Sequence, residues 1–166
     1  MQPYKKELKT AQRAARDAAD IIRGSYADLK GADITEKRVN DMVTVVDIES
    51  QELIVSTIRT AFADDFIVAE ETLSADVNSG IDAGTSRRWY VDPLDGTTNY
   101  IHAYPVFATS IALEVDGQID VGVTFDPMRE EMFCAVRGQG AFLNDSRIHV
   151  SDISDRRRTL LATGFP

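Results

Sequence analysis

The run Asp92-Pro93-Leu94-Asp95-Gly96-Thr97-Thr98 brings two carboxylates together around a proline turn. Because proline fixes φ and favours a turn, Asp92 and Asp95 can point toward one centre from a strand end and the turn that follows it. Such hard oxygen ligands suit Mg²⁺, which prefers carboxylates, waters and phosphate oxygens. Gly96 allows close backbone approach, and a helix that opens at Thr97 would direct its free N–H groups at a phosphate. The run therefore predicts phosphoryl transfer to water at a metal centre.

Two further acidic segments could contribute to such a centre. Glu70 and Glu71 follow the apolar run 66–69, and Asp47 ends the run 41–47 just before a predicted helix. Each segment also has a purely structural explanation: solvated surface for the adjacent glutamates, a helix N-cap for Asp47, and an acidic turn with an N-cap for residues 92–98. Spacing alone leaves these alternatives open.

Length and composition predict one globular domain that could gather cations. The chain has 166 residues, of which 43% are apolar, so a single domain with a genuine core is expected over residues 1–166. The net charge of −9 and the pI near 4.7 disfavour binding to nucleic acid or anionic membranes, since both are polyanions. Acidity suits a cation-binding protein, although solvated acidic surface is the commoner explanation.

The sequence shows neither a targeting segment nor a membrane-spanning one. Residues 1–7 have no apolar run behind their positive charges, and nowhere do about 18 apolar residues follow one another. We therefore expect a soluble cytoplasmic protein. The single cysteine, Cys134, excludes an internal disulfide and argues against a cysteine-based metal cage. Its apolar surroundings predict a buried structural thiol rather than a reactive one.

Apolar periodicity predicts two long helices. Over residues 4–29, apolar side chains recur at three- and four-residue steps, at Leu8, Ala11, Ala15, Ala18, Ile22 and Tyr26. The polar segment 31–40 ends this helix. A second helix is predicted from about residue 48 to residue 62, and its apolar face would carry Ile48, Ile54, Ile58 and Phe62.

Turn signals divide the remainder into strands. Short strands at 66–69 and 89–91 flank the Ser- and Asp-rich segment 74–86, which predicts an exposed, mobile loop. Asp116-Gly117 predicts a two-residue hairpin between strands 107–115 and 119–125. Further strands are predicted at 131–136, 141–143 and 159–163. Together the elements predict an α+β fold, in which two long helices are layered on a largely antiparallel sheet.

The acidic segments together resemble the motifs of the inositol monophosphatase family. Residues 41–47 match D-x-V-T-x-x-D, Glu70-Glu71 match an acidic pair, and residues 89–100 match W-x-[IV]-D-P-[IL]-D-G-T-[TK]-N-[FY]. Two later segments, 138–144 and 161–166, are similar to the family's K-G-x-G-A-[FW]-x-N turn and to the strand that opens its second half. Ala69 stands where the family usually has Gly. The resemblance implies the N-terminal half of the αβαβα fold shared with fructose-1,6-bisphosphatase.

The resemblance also implies a cation site and a phosphate site. Glu70, Asp92, Asp95 and the backbone carbonyl of Leu94 would bind two or three Mg²⁺ ions, for which Mn²⁺ could substitute. The N–H groups of Gly96 and Thr97, together with Asp95, would hold the substrate phosphate.

The remaining implied roles concern the attacking water. Asp47 and the Thr97 hydroxyl would position or deprotonate a metal-activated water, and Glu71 would orient the site. For Asn99 and His102, which follow the motif, a capping residue and a partly exposed histidine are expected.

The activity that the resemblance implies is Mg²⁺-dependent hydrolysis of myo-inositol 1-phosphate to myo-inositol and phosphate. The run Thr97-Thr98-Asn99-Tyr100 is closer to the inositol monophosphatase branch than to T-K-x-F variants. Lithium inhibition and a homodimer are expected as family traits, with a small phosphorylated polyol or sugar as substrate and neither nucleic acid nor membrane as partner.

Two alternatives to this activity stay open. Fructose 1,6-bisphosphate, 3′-phosphoadenosine phosphates, NADP and histidinol phosphate are substrates of sister phosphatases with the same core motif. The second alternative is a non-catalytic phosphatase-like module that binds a protein or an RNA-associated partner.

Family members continue beyond this length, with a W-D-x-A-A-type motif whose Asp completes the second metal site. Nothing similar occurs in this sequence, which closes at Pro166. We therefore expect a fragment lacking the C-terminal α/β half rather than a natural truncation, because ending there would leave a strand edge unpaired and apolar surface uncovered. We also expect this chain alone to be catalytically poor.

Overall fold

In the computed structural model, two long helices pack on one face of a seven-stranded sheet. The structure describes residues 4–28, 34–38, 41–71 and 86–162. The helices are α1 (Lys5–Ser25), α2 (Val45–Ala61) and the short α3 (Thr97–Ile101). The strands are β1 (Ile34–Arg38), β2 (Asp41–Thr44), β3 (Phe66–Ala69), β4 (Arg87–Asp95), β5 (Ala108–Val115), β6 (Gln118–Asp126), β7 (Glu131–Val136), β8 (Gly140–Leu143) and β9 (Ser146–Ile148).

The strands of the large sheet follow one another in chain order from β3 to β9. Among the described strands of this sheet, β3 and β4 are parallel, and every later pair of neighbours is antiparallel. Strands β1 and β2 form a separate antiparallel pair. The turn between β5 and β6 has positive φ at both central residues, 50° at Asp116 and 77° at Gly117, as a tight hairpin requires. The predicted α+β fold, with helices on a mostly antiparallel sheet, is confirmed.

Small side chains let α1 approach its neighbours closely. Its buried face consists mostly of alanines that are fully inaccessible to solvent: Ala11, Ala14, Ala15, Ala18 and Ala19. They pack in one core cluster with Ile54 and Ile58 of α2 and with Trp89, Ile111 and Leu113 of the sheet. Because alanine adds little bulk and favours helix, this face brings α1 onto α2 and the sheet while keeping the helix stable.

The start of α2 corrects the sequence prediction. The helix begins at Val45 rather than near Ile48, because Thr44 caps it. Ile48, predicted on the apolar face, is 45% exposed, whereas Ile54 and Ile58 are buried as predicted. At about 3.6 residues per turn, Asp47 lies on the same side of the helix as Ile54 and Ile58, whereas Ile48 lies off that side, so Val46 and Asp47 are buried and Ile48 is not.

Several strand predictions also change. Strands β1, β2 and β9 were not predicted, since the charged segments 34–38 and 41–44 and the short 146–148 lack strong alternation. The strand predicted at 159–163 is wrong over 159–162, which follow a 3-10 turn (Arg156–Arg158) without regular structure; residue 163 lies outside the described residues. The predicted loop at 74–86 lies outside them too, except for Ser86.

Within the described segments, no helix combines the length and the apolar character that crossing a bilayer requires.

Candidate active site

The buried carboxylate of Asp47 belongs to a capping box at the start of α2. Thr44, the N-cap, accepts hydrogen bonds from the N–H groups of Val46 and Asp47 at 3.2 and 3.4 Å. In return, Asp47 Oδ2 accepts from the Thr44 N–H at 2.9 Å and from the Thr44 hydroxyl. Asp47 therefore occupies the third helical position and not the N-cap, which was the structural alternative for it, since the Thr44-Val45-Val46-Asp47 spacing is that of a capping box.

A second bond ties Asp47 to α3. The Thr97 hydroxyl lies 2.9 Å from Asp47 Oδ1 and 3.0 Å from the Leu94 carbonyl oxygen. Asp47 is only 1% exposed, so this hydroxyl and Thr44 together complete the hydrogen bonding of a carboxylate that water scarcely reaches. The predicted pair Asp47 and Thr97 is thus in direct contact.

A bulge in β4 places the two aspartates of the proline turn. Asp92 pairs with Ser110 and Asp95 with Ala108 on β5, so three steps along β4 match two along its neighbour. Pro93 lacks an N–H to donate, and its carbonyl accepts a hydrogen bond from the buried Thr109 hydroxyl at 2.9 Å. The strand was predicted over residues 89–91, but it runs from Arg87 through this bulge to Asp95.

Asp92 is the residue of the site whose carboxyl has a strongly raised pKa. Burial, and then the nearby charges of Glu70 and Asp95, raise the pKa of Asp92 to about 8, against a partial opposing effect from a backbone hydrogen bond with Leu94. Asp92 Oδ1 is buried without a hydrogen-bond partner. A buried, unpartnered carboxylate oxygen facing other acids is a favourable position for a cation.

The parallel pairing of β3 with β4 places Glu70 beside the Asp92 carboxylate. Ala69 is opposite Val91, the last pair of the register, so Glu70 and Asp92 follow at the same end of the two strands. The next residue is held from α2, because the Gln51 side-chain oxygen accepts from the Glu71 N–H at 2.9 Å. The predicted acidic pair therefore sits beside the proline turn.

The carboxylates are not gathered as metal ligands. Within residues 4–28, 34–38, 41–71 and 86–162, no three His, Cys, Asp or Glu side chains lie close enough together to hold a metal ion. Glu70 and Asp95 both act on Asp92 but are themselves exposed. All the candidate ligands are oxygen atoms, which suit a hard cation. The Asp92 oxygen without a hydrogen-bond partner fits a cation that keeps open coordination positions better than a structural metal whose ligands all come from the protein.

The turn into α3 depends on Gly96. Its φ is 98°, and a Cβ added there would come 3.1 Å from the Val106 carbonyl oxygen and 3.3 Å from Phe107 Cα. Behind it, Leu94, Tyr100 and Phe107 pack with Ile22 of α1 in a second core cluster. This buried cluster packs against the turn, so the backbone N–H groups of the turn are held in fixed positions.

Residues flanking the turn play supporting parts. The Asn99 side chain donates to the Val106 carbonyl at 2.7 Å and braces the following loop, so the capping role expected for it is replaced by a loop contact. His102 is exposed, as expected, with Nδ1 at 2.8 Å from the Thr98 carbonyl oxygen. Cys134 is buried, which raises the pKa of its thiol, and the expected structural thiol is confirmed.

Sequence reasoning missed three polar residues that shape the site: Thr44, Gln51 and Thr109. The capping-box spacing from Thr44 to Asp47 could have identified the first. Gln51 and Thr109 act on backbone atoms distant in the chain, at Glu71 and Pro93, and no local pattern identifies them.

A sequence model described as the inositol monophosphatase family matches residues 4–166. The chain belongs to the inositol monophosphatase family. The recognition made from the three acidic segments is thereby confirmed, and the match covers all of the site described above.

Individual relatives of this inositol monophosphatase family member agree. A protein of Pasteurella multocida named Nus factor SuhB is 43% identical over 159 residues, covering 96% of this chain and 58% of the relative. The extragenic suppressor protein suhB of Bartonella henselae is 33% identical with a TM-score of 0.79, covering 89% of this chain and 55% of that one. The Thermotoga maritima IMPase is 32% identical with a TM-score of 0.76, covering 88% and 54%.

The family member described here spans little more than half of these relatives, 58% of the Pasteurella protein and 54% of the Thermotoga chain. Shared sequence and structure therefore establish the family and the fold of this chain, and they do not by themselves establish the activity of the whole protein.

Proposed function

We propose that this protein is a Mg²⁺-dependent phosphomonoesterase that hydrolyses myo-inositol 1-phosphate to myo-inositol and phosphate. The observation that carries the proposal is the buried Asp92 Oδ1, which has no hydrogen-bond partner and belongs to a carboxyl whose pKa the nearby charges of Glu70 and Asp95 raise. Uncompensated acidic charge in that position is costly for the fold alone and is relieved by a bound cation.

The proposed cation ligands are Glu70, Asp92, Asp95 and the Leu94 carbonyl oxygen. They come from adjacent strand ends, and the bulge between Asp92 and Asp95 turns the second aspartate out toward solvent, where a substrate can reach it. When bound there, Mg²⁺ would supply Lewis acidity toward water and phosphate oxygens. Glu71, fixed at its backbone by Gln51, would orient the ligand beside it.

The proposed proton acceptor is the pair formed by Asp47 and Thr97. The Thr97 hydroxyl donates to Asp47 Oδ1 and can at the same time accept from an attacking water, so the proton of that water passes toward a buried carboxylate. Asp47 is held in place by the capping box on its other oxygen. A fixed acceptor of this kind orients the water for in-line attack at phosphorus.

The proposed phosphate cradle is the backbone of Gly96 and Thr97, with Asp95 beside it. Gly96 has the positive φ that turns the chain, and the missing Cβ leaves the backbone accessible. N–H groups at such a turn donate to phosphate oxygens without a charged side chain.

Phosphate release from myo-inositol 1-phosphate, with and without Mg²⁺, tests this function. Asp95→Asn should abolish the Mg²⁺-dependent release. Asp116→Asn is the matched control, because it removes the same charge at a hairpin turn whose left-handed φ suits asparagine. Calorimetric Mg²⁺ titration should accompany the assay, so that cation binding is measured independently of turnover. Equal Mg²⁺ binding and release by the Asp95→Asn variant and the unsubstituted chain would contradict the proposal.

A sister phosphatase substrate is the nearest alternative. Fructose 1,6-bisphosphate, 3′-phosphoadenosine phosphate, NADP and histidinol phosphate should each be offered in the same assay. Preference for one of them would refute the inositol assignment but keep the metal-dependent chemistry.

A partner-binding role is the second candidate function, because the Pasteurella relative is named as a Nus factor. Complementation in cells that depend on this protein separates the two functions. If Asp95→Asn supports growth as well as the unsubstituted protein, binding without turnover is favoured; loss of growth with normal protein levels favours catalysis.

A further inference from the structure

A carboxylate bridge lies at the end of β3 and β4 that is remote from the candidate active site. Asp65 directly precedes β3, and its side chain is 9% exposed. Its Oδ1 accepts from Arg87 Nε at 2.9 Å, and its Oδ2 accepts from Trp89 Nε1 at 2.8 Å. Arg87 and Trp89 alternate with Arg88 and so point to the same side of β4. A single carboxylate therefore spans two positions of the neighbouring strand.

The bridge is well supported on its β4 side. Trp89 is fully buried in the main core, and its ring packs against Phe62 in a tilted arrangement, with a centroid distance of 5.5 Å and an interplanar angle of 38°. Arg87 lies over the same Phe62 ring and also pairs with Glu7 of α1 at 3.2 Å. Because both donors are fixed by other contacts, Asp65 is held against a rigid frame.

Apart from Ala69 and Ile67, which pack in or against the main core cluster, strand β3 has few other restraints. It is four residues long, lies at one edge of the described sheet and pairs there with β4. Of its side chains only Ala69 is buried. A short edge strand contributes little ladder energy, so contacts at its ends decide where it lies. Asp65 supplies one such contact, and the bond from Glu71 to Gln51 supplies the other.

The position of β3 matters for the site because its last residue leads into Glu70. The register from Phe66 opposite Arg88 to Ala69 opposite Val91 is what sets Glu70 beside Asp92. Each residue of a strand advances about 3.3 Å, so a slip of one residue would move the Glu70 carboxylate out of reach of Asp92.

We infer that Asp65 is a positioning residue for the cation site: by bridging Arg87 and Trp89, it fixes the β3 register that delivers Glu70 to Asp92. The inference rests on the proposed function in one respect, which is that Glu70 and Asp92 bind a divalent cation. Asp65 touches neither substrate nor cation and acts through the strand that follows it.

Two substitutions separate this role from general stabilisation. Asp65→Asn preserves shape but offers one acceptor in place of two and turns an NH₂ group toward a donor. Glu7→Gln is the matched control, because it also removes a carboxylate from Arg87 yet leaves the bridge to β3 intact. For each variant we would measure Mn²⁺ affinity by calorimetry and the hydrogen exchange of β3 amides relative to β6 amides by NMR.

Asp65→Asn should weaken Mn²⁺ binding about 10-fold to 100-fold, as indirect supports of metal ligands do, and should speed β3 exchange selectively. Glu7→Gln should change neither. Unchanged β3 exchange in Asp65→Asn, unchanged Mn²⁺ affinity despite faster exchange, or equal effects in Glu7→Gln would each overturn the inference. If the unsubstituted chain binds no Mn²⁺, the proposed function fails. The register role of Asp65 is then tested by hydrogen exchange alone: faster exchange of β3 amides than of β6 amides in Asp65→Asn supports it, and unchanged β3 exchange overturns it.

Discussion

The hydroxyl of Thr97 joins α3 to the start of α2, at 2.9 Å from Asp47 Oδ1 and 3.0 Å from the Leu94 carbonyl oxygen. A hydroxyl has one proton and so donates to one of these acceptors at a time. If the Leu94 carbonyl is engaged as a cation ligand, Thr97 is left to donate to Asp47, which is the arrangement that the proposed proton acceptor needs.

Thr97→Val should lower kcat for phosphate release by about 10²-fold to 10⁴-fold, because it removes the hydroxyl that relays the proton to Asp47 while keeping the side-chain shape. Thr97→Ser keeps the hydroxyl and should retain most of the rate. The measurement is steady-state kinetics at saturating Mg²⁺. Similar rates in the two variants would remove Thr97 from the proposed mechanism.

Thr44→Ala should destabilise the fold by about 1–2 kcal/mol, because it removes the N-cap of α2 and leaves Asp47 Oδ2 short of a donor. Thr44→Ser, which preserves the capping hydroxyl, should cost much less. Urea unfolding followed by far-UV circular dichroism gives the free energy of unfolding for both. A loss in Thr44→Ser as large as that in Thr44→Ala would mean that the methyl group, and not the cap, stabilises the site.

Cation binding should depend on pH through Asp92. Since the pKa of Asp92 is about 8, the cation-free protein carries a proton there at lower pH, and a cation must displace it. Affinity should therefore rise by about tenfold per pH unit below that value and level off above it. Calorimetry in two buffers of different ionisation enthalpy should show about one proton released near pH 6. Asp92→Asn should bind weakly, with no such release.

The same raised pKa predicts the sign of a stability effect. The folded-state pKa of Asp92 lies above its ordinary value of 3.8, so its contribution to stability is complete below that value. It is lost as pH rises toward about 8. The cation-free chain should therefore lose stability across this range more than Asp92→Asn does, as measured by unfolding at a series of pH values. Parallel curves for the two proteins would argue against a buried, protonated Asp92.

Gly96→Ala should cost about 1–3 kcal/mol and weaken phosphate binding, because the substitution combines a positive φ with close contacts to Val106 and Phe107. Gly122→Ala is the control, since its Cβ would meet no atom within 4 Å. That control should be neutral or slightly stabilising. Unfolding free energies and inhibition by inorganic phosphate provide the two readouts, and equal behaviour of the two variants would contradict the role given to the Gly96 turn.

Local patterns were sufficient for much of the fold. The 3.6-residue periodicity of α1, the Asp116-Gly117 turn and the turn signals that delimit β5 to β7 are properties of neighbouring residues, and each of these elements was confirmed. The prediction for Ile48 was wrong for a local reason. At about 3.6 residues per turn, Ile48 is out of phase with the buried Ile54 and Ile58, and its side chain is exposed.

Residue types and spacing by themselves determined the family, the oxygen-rich donors and the turn at Gly96, because each of these is a short segment whose chemistry is local. Only the tertiary structure decided that Thr97 meets Asp47, that the parallel pairing of β3 places Glu70 beside Asp92, and that Asp65 spans two residues of β4. These contacts join residues far apart in the chain, and their distances follow from how helices and strands pack, which no local pattern encodes.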